Sequence, residues 1–88
     1  MITNYDAQIV FRSLNKNNAN QIASQLNDDD ECQEVEVLEH PEEPDVWYVY
    51  AAIYEMPAES NLDIVQFCRV RWSNVTCDKM WTMVVESD

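Results

Sequence analysis

The most apolar and aromatic run of the chain is Val46–Tyr54, with the sequence Val-Trp-Tyr-Val-Tyr-Ala-Ala-Ile-Tyr. It carries no charge and is rich in the β-branched and aromatic side chains that suit a packed strand. Pro44 precedes it and Pro57 follows it, so the two prolines mark its expected ends. Alternation places Trp47, Val49, Ala51 and Ile53 on one face and Val46, Tyr48, Tyr50, Ala52 and Tyr54 on the other. Because both faces are apolar or aromatic, we expect a central strand.

Three further strands are predicted from alternating side chains. They cover Asp6–Ser13, Gln33–Glu39 and Lys79–Glu86. In the second of them, glutamates alternate with valines, as in an edge strand with one buried and one solvated face. In the last, the two faces carry Trp81, Met83 and Val85 on one side and Met80, Thr82 and Val84 on the other.

Two helices are predicted from apolar residues that recur three and four positions apart. The first begins after Asn15 or Asn17 and ends at Asn27, which we expect to take the left-handed conformation because the chain has no glycine. The second begins at Ser60, where Asp63 completes a capping box. The predicted buried stripes are Ala19, Ile22, Ala23 and Leu26 in the first helix, and Leu62, Val65, Cys68 and Trp72, widened by Ile64, in the second.

The resulting order of elements is β-α-β-β-α-β. It predicts an α+β protein with the ferredoxin-like arrangement, a four-stranded antiparallel sheet with two helices on one face. This arrangement places the first and third strands at the centre, and those are the most apolar strands here. With 88 residues, we expect a single domain.

Charge is the strongest functional signal in the sequence. Seventeen acidic residues stand against five basic ones, for a net charge of −12, and no Lys or Arg occurs from Asn17 to Cys68. Such a field repels phosphates and attracts basic surfaces. We expect these acids to bind a partner; the alternative is a surface that only keeps the protein soluble. The candidate partner-binding acids are Asp28, Asp29, Asp30, Glu31, Glu34, Glu36, Glu39, Glu42, Glu43 and Asp45.

The acidic run Asp28–Glu31 lies in the expected loop after the first helix. A helix macrodipole favours cations at the C-terminus, so these acids carry an electrostatic cost there. We expect no folding benefit from them, which favours a functional role.

The sheet face without helices is the second candidate site. If the face of Val46–Tyr54 that carries Trp47 lies under the helices, Tyr48, Tyr50 and Tyr54 line the open face. Exposed tyrosines on a sheet indicate a binding platform. RNA-recognition modules stack bases on a similar surface, but nothing basic is near these tyrosines in the sequence, so a protein partner is favoured. The alternative is that the rings pack on one another, or on the C-terminal strand, as a second minor core.

The sequence predicts no catalytic, metal or cofactor site. His40 is the single histidine and lacks a second histidine or any Cys/His spacing, and Asp28–Glu31 lacks the spacing of an EF-hand loop. Without glycine there is no phosphate-cradling loop of the usual kinds. Cys32, Cys68 and Cys77 are odd in number and form no Cys-x-x-Cys pair, so we expect free thiols in a reducing cytoplasm. We therefore expect a non-enzymatic protein without a cofactor.

Two short motifs lie in the second half of the chain. Trp47 stands in a strand that leads to Met56-Pro57 and a helix, and Cys77-Asp78-Lys79-Met80-Trp81 opens the last strand. On these residues the chain resembles the family of the regulator of ribonuclease E activity B, whose members tend to show a Tyr-Asp-Gly-Trp-like run there. Asp78 and Trp81 match that run, whereas its glycine is absent and one residue is added. The resemblance implies a small acidic cytoplasmic protein that binds and restrains a nuclease.

We therefore expect a small acidic inhibitor that binds the basic nucleic-acid-binding surface of a nuclease or nucleic-acid-processing complex. Trp47, Tyr48 and Tyr50 are its expected anchors. It could be a ribonuclease regulator, a toxin immunity protein or a phage anti-defence protein, for example an anti-CRISPR protein. The alternative is a ligand-binding or dimerisation module that uses the aromatic sheet face, with a homodimer as one outcome.

The expected location is the cytoplasm of a bacterium or of a phage-infected host. The N-terminus shows no signal peptide, and no apolar run approaches the roughly 20 residues that span a bilayer. We expect no contact with a membrane and no direct contact with nucleic acid.

Overall fold

The sheet has the strand order β2-β3-β1-β4, and all neighbouring strands are antiparallel. In the computed structural model the elements are β1 (Thr3–Ser13), α1 (Lys16–Asn27), β2 (Gln33–Glu39), β3 (Trp47–Ala58), α2 (Asn61–Arg71) and β4 (Lys79–Glu86). The structure describes residues 1–87. This is the predicted ferredoxin-like α+β fold, with β1 and β3 at the centre of the sheet.

The hydrophobic core lies between one face of the sheet and the two helices. Ile9 and Phe11 of β1 and Val49 of β3 are fully buried there, together with Ile22 and Leu26 of α1. Burying a large apolar side chain stabilises the fold by roughly 1.5–3 kcal/mol. The alternation predicted for Val46–Tyr54 is confirmed, because the face that carries Val49 packs against the helices and the face that carries Tyr48 does not.

Helix α1 begins directly after Asn15, one of the two predicted caps. The Asn15 side chain accepts a hydrogen bond of 2.6 Å from the backbone N–H of Asn18. The helix ends at Asn27 as expected, but the predicted left-handed conformation there is wrong. Asp28 caps the helix in the right-handed region, with φ −80° and ψ −7°, and its N–H bonds to carbonyls of the last turn.

Strand β3 continues through Pro57, so the prediction that this proline ends the strand is wrong. A β-bulge precedes it, in which Tyr54 and Glu55 lie opposite Asp6. Glu55 takes the left-handed conformation with φ 53°, and its N–H donates to Asp6 Oδ1 at 2.9 Å. Beyond Ala52, β3 pairs with β1 alone. Proline is tolerated on such an edge because no partner strand needs its missing N–H.

Helix α2 packs through a stripe that differs from the predicted one. Ile64, Cys68 and Trp72 are buried and lie four positions apart, on one side of the helix. Leu62 is 72% exposed, so its assignment to the stripe is wrong; it lies roughly 200° around the axis from Ile64. Ser60 is the N-cap as predicted, but its side chain makes no capping hydrogen bond.

Candidate protein-binding surface

The predicted partner-binding acids gather along one edge of the molecule. β2 is an outer strand of the sheet, and the loops at its two ends carry the other acids. Among residues 1–87, the ion pairs join Arg12 to Asp78 and Arg71 to Asp29, so neither neutralises an acid of this edge. We define the acidic edge as nine exposed residues, Asp28, Asp30, Glu31, Glu34, Glu36, Glu39, Glu42, Glu43 and Asp45.

Asp29 differs from its neighbours because its carboxylate is engaged within the fold. Arg71 donates to it twice, from Nη2 to Oδ1 at 2.7 Å and from Nε to Oδ2 at 2.8 Å. Asp29 Oδ1 also accepts the backbone N–H of Glu31 at 2.9 Å. The hydrogen bonds from Arg71 lower the pKa of Asp29. The expectation that this loop brings no folding benefit is therefore wrong for Asp29.

The exposed side of β2 joins the acidic edge to the tyrosines. Glu36 lies directly opposite Tyr50, and the Tyr54 hydroxyl donates a hydrogen bond to Glu34, which raises the pKa of Tyr54. The contact between Glu34 and Tyr54 lies at a second β-bulge. The register between β2 and β3 shifts there, between Gln33 and Glu36, and Glu34 takes the left-handed conformation with φ 54°. Carboxylates and phenol rings thus lie side by side on the face that no helix covers.

The loop between β2 and β3 is ordered by His40. Its Nδ1 accepts the backbone N–H groups of Glu42 at 3.1 Å and Glu43 at 2.9 Å. The backbone N–H of His40 donates to the Val46 carbonyl at 2.8 Å, which closes the loop. The single histidine therefore has a structural role, fixing the backbone that carries two acids of the edge.

The sheet face opposite the helices is aromatic and partly exposed. The Tyr48 ring lies 6.4 Å from Tyr50 and 6.4 Å from Trp81, so the rings pack on one another and on the C-terminal strand. Much of the surface still contacts solvent, with Met83 50% and Val85 64% exposed. We define the aromatic face as Val10, Leu38, Tyr48, Tyr50, Tyr54, Trp81, Met83 and Val85.

Trp47 does not belong to this face. It is half-buried on the helix side of the sheet, packed against the core, with Lys16 Nζ 5.7 Å from its ring centroid. The structure therefore brings Tyr48 and Tyr50 together as candidate anchors and separates Trp47 from them.

Two basic residues lie on the aromatic face, so the expectation that nothing basic is near the tyrosines is wrong. Arg12 of β1 lies opposite Tyr48 on one side and Lys79 on the other. Lys79 Nζ is 5.1 Å from the Trp81 ring centroid. Arg12 Nε is 3.4 Å from Asp78 Oδ2. Strand pairing brings these groups together across long sequence separations, and only the register reveals it.

The remaining reactive groups show no sign of an activated centre within residues 1–87. No group of three or more His, Cys, Asp or Glu side chains is placed to hold a metal ion there. The three cysteines are free; burial raises the pKa of Cys68 to about 11 and that of Cys32 to about 12. Such thiols are poor nucleophiles at neutral pH. In the same described part of the chain, no helix has both the length and the apolar character needed to cross a bilayer.

Comparison of this chain with known proteins shows similarity of fold to solved structures. No protein-family model and no curated protein sequence matches the chain. A solved structure from Bacteroides thetaiotaomicron VPI-5482, a conserved protein of unknown function called a possible oxidoreductase, is 11% identical and has a TM-score of 0.54. The match covers 97% of this chain and 99% of that one. The likeness is one of fold alone.

A second solved structure, a conserved protein from Methanosarcina mazei Go1, is 12% identical with a TM-score of 0.42. That match covers 94% of this chain and 93% of the other. The resemblance to the ribonuclease E regulator family stays a prediction, because no family model matches the chain.

Proposed function

We propose that this protein is a non-enzymatic inhibitor whose acidic edge docks on the basic, nucleic-acid-binding surface of a nuclease or a related nucleic-acid-processing protein. The observation that carries the proposal is the clustering of nine exposed carboxylates along β2 and its flanking loops. Among residues 1–87 these carboxylates have no ion-pair partner. They are available to replace the phosphates that such a surface binds.

Electrostatic attraction would act before contact. A surface of one sign steers an oppositely charged partner and raises the association rate by about 10- to 1,000-fold. Between exposed charges the attraction extends over about 8 Å at physiological ionic strength and shortens as salt is added. The proposed association is therefore fast and sensitive to salt.

Short-range contacts would come from the aromatic rings beside the acids. Glu36 lies opposite Tyr50, and Leu38 lies opposite Tyr48. An arginine of the partner could stack on a phenol ring while it pairs with a neighbouring carboxylate. Tyrosine anchors within a polar rim are typical of protein interfaces. The glutamates of β2 also discourage strand addition at this edge, so the docking proceeds through side chains.

Three biological settings are compatible with such a target: ribonuclease regulation, toxin immunity and anti-defence activity such as inhibition of a CRISPR complex. In each setting, the proposed target is a nucleic-acid-binding protein with a basic surface. A second candidate function is a dimerisation or ligand-binding module, favoured by the exposure of Met83 and Val85 on the aromatic face.

A capture experiment tests the proposed function. The tagged protein is incubated with host lysate at low and at high salt, and retained proteins are identified by mass spectrometry. We expect a nuclease or nucleic-acid-processing protein that is retained at low salt and released at high salt. A partner that resists salt, or recovery of the protein alone, contradicts the proposal and favours the dimerisation or ligand-binding module.

Charge reversal then separates a specific edge from a general charge effect. The variant Glu36→Lys with Glu39→Lys reverses two acids of the edge. The matched control is Glu59→Lys with Glu86→Lys, which makes the same change in net charge at exposed positions elsewhere. We expect the first variant to lose the captured partner and its inhibition, and the control to keep both. Equal losses in the two variants contradict docking through the acidic edge.

A further inference from the structure

The aromatic face contains a groove that extends from the tyrosines beside the acidic edge to β4, which takes no part in the proposed docking. It has a volume of about 410 Å³ and is lined by Val10, Tyr48, Tyr50, Trp81, Thr82 and Met83. Ligand sites in proteins range from roughly 300 to 1,000 Å³ and are mostly apolar with a few polar groups. The groove is therefore large enough for a small molecule of one or two rings.

The rings of the groove are arranged to receive a flat molecule. Tyr48 stands between Tyr50 and Trp81, with interplanar angles of 40° and 42° to them. Tilted neighbours leave ring faces and edges exposed to a third ring, and aromatic groups prefer offset or edge-to-face contacts. A planar aromatic ring in the groove would contact Tyr48 and Trp81 together.

One end of the groove is positively charged. Lys79 Nζ lies 5.1 Å from the Trp81 ring centroid, and Arg12 lies opposite Lys79 on β4 and opposite Tyr48 on β3. Arg12 is already ion-paired, with its Nε 3.4 Å from Asp78 Oδ2, whereas Lys79 has no ion-pair partner among residues 1–87. Two of the five basic residues of a chain with net charge −12 thus border this groove.

The opposite side of the face is acidic. Glu36 lies directly opposite Tyr50, and Glu34, two residues earlier in β2, lies within the second bulge. A chain of phosphates that left the cationic end would meet these carboxylates. The charge distribution therefore favours a ligand with a single anionic group over a nucleic-acid strand.

We propose that this groove binds a small planar aromatic molecule that carries one anionic group, a phosphate or a carboxylate. The ring lies against Tyr48 and Trp81, and the anion pairs with Lys79 and Arg12. The site shares Tyr48 and Tyr50 with the proposed docking. Its charged groups belong to β1 and β4 and the acidic edge belongs to β2 and its loops, so variants of the charged groups test the two proposals separately.

An NMR titration tests the site with three matched probes. The first is 2-naphthoate, the second is the neutral 2-naphthamide and the third is cyclohexanecarboxylate, which has the charge without the aromatic ring. We expect 2-naphthoate to bind about tenfold more tightly than either of the others, with shifts at the Trp81 indole N–H and the Val10 and Thr82 amides. Equal binding of naphthoate and naphthamide, or no shifts in the groove, overturns the proposal.

A pair of lysine variants provides the internal control. Lys79→Gln removes the cation over Trp81, and we expect it to weaken 2-naphthoate binding about tenfold while leaving 2-naphthamide unchanged. Lys16→Gln removes the equivalent cation over Trp47, 5.7 Å from that ring, and leaves both affinities unchanged. The two variants keep the apolar core intact, so both should fold. Equal effects of the two lysine variants overturn the proposal.

Nucleotide probes distinguish the source of the anion. A nucleoside monophosphate that binds about tenfold more tightly than its nucleoside shows that the site accepts phosphate, and equal binding of the two shows that the site is selective for carboxylate. Either result supports the site. A single-stranded oligonucleotide that binds much more tightly than the monophosphate overturns it in favour of a nucleic-acid surface.

Discussion

Arg71, in the last turn of α2, donates two parallel hydrogen bonds to Asp29, which lies 42 positions earlier in the loop after α1. The donor–acceptor distances are 2.7 Å and 2.8 Å. Asp29 Oδ1 also accepts the N–H of Glu31. One carboxylate thus ties the second helix to the loop where the acidic edge begins.

Replacement of Asp29 by asparagine should destabilise the fold by about 1 kcal/mol. The amide can still accept from Glu31 but loses the charge-assisted pair with Arg71. The loss is limited because the Arg71 side chain is 38% exposed and solvent screens its charge. Urea unfolding measures the change, and Asp30→Asn, at an exposed neighbour, should have almost no effect. If a double-mutant cycle with Arg71→Gln gives no coupling, the pair does not stabilise the fold.

The same pair predicts a dependence of stability on pH. Because Arg71 lowers the pKa of Asp29 below the ordinary value of 3.8, the folded state binds this proton more weakly than the unfolded chain. The contribution is complete above pH 3.8 and is lost as the pH falls through the lower, folded pKa. The difference in unfolding free energy between the wild type and Asp29→Asn should therefore shrink under acid. A difference that stays constant down to pH 2 would contradict the assigned pKa.

The buried thiols predict slow modification and a loss of stability in base. Burial raises the pKa of Cys68 to about 11 from 9.0, so the folded state holds this proton more tightly than the unfolded chain does. The stabilisation is complete below pH 9.0 and is lost as the pH rises toward 11.

A thiol reagent at pH 8 should modify Cys77 before Cys68 and reach all three cysteines only in denaturant. Rapid modification of Cys68 in the native protein would show that the site opens.

The bulge in β3 predicts a stabilising substitution. Glu55 has φ 53°, a conformation that costs a non-glycine residue about 1 kcal/mol or more. We expect Glu55→Gly to raise the unfolding free energy by about 0.5–1 kcal/mol, because the hydrogen bond from this N–H to Asp6 is kept. Glu59→Gly, outside the left-handed region, should be neutral or destabilising. Thermal unfolding compares the two, and an equal effect would contradict strain at Glu55.

Most of the fold could be predicted from side-chain patterns. β2 and β4 have the predicted bounds, Gln33–Glu39 and Lys79–Glu86, because alternation over seven or eight residues has a single interpretation. The sequence offers Asn15 and Asn17 as caps for α1, and the structure uses Asn15, whose short side chain caps the helix locally. The central positions of β1 and β3 followed from their apolar character.

The differences arise where distant parts of the chain meet. Pro57 was expected to end a strand, but it is tolerated because β3 has lost its second neighbour beyond Ala52. The aromatic face was predicted from Tyr48 and Tyr50, whereas its cations, Arg12 and Lys79, come from strands that only the register places beside them. Local patterns specify elements, and pairing specifies which groups share a surface.

The left-handed positions of the described chain, Glu34, Asp45 and Glu55, are all acidic. At Glu34 and Asp45, which belong to the acidic edge, a glycine would relieve the backbone and remove a charge at once. A variant with glycine at these positions would be less acidic and more stable. In the natural sequence, negative charge on this edge therefore comes at the expense of folding stability.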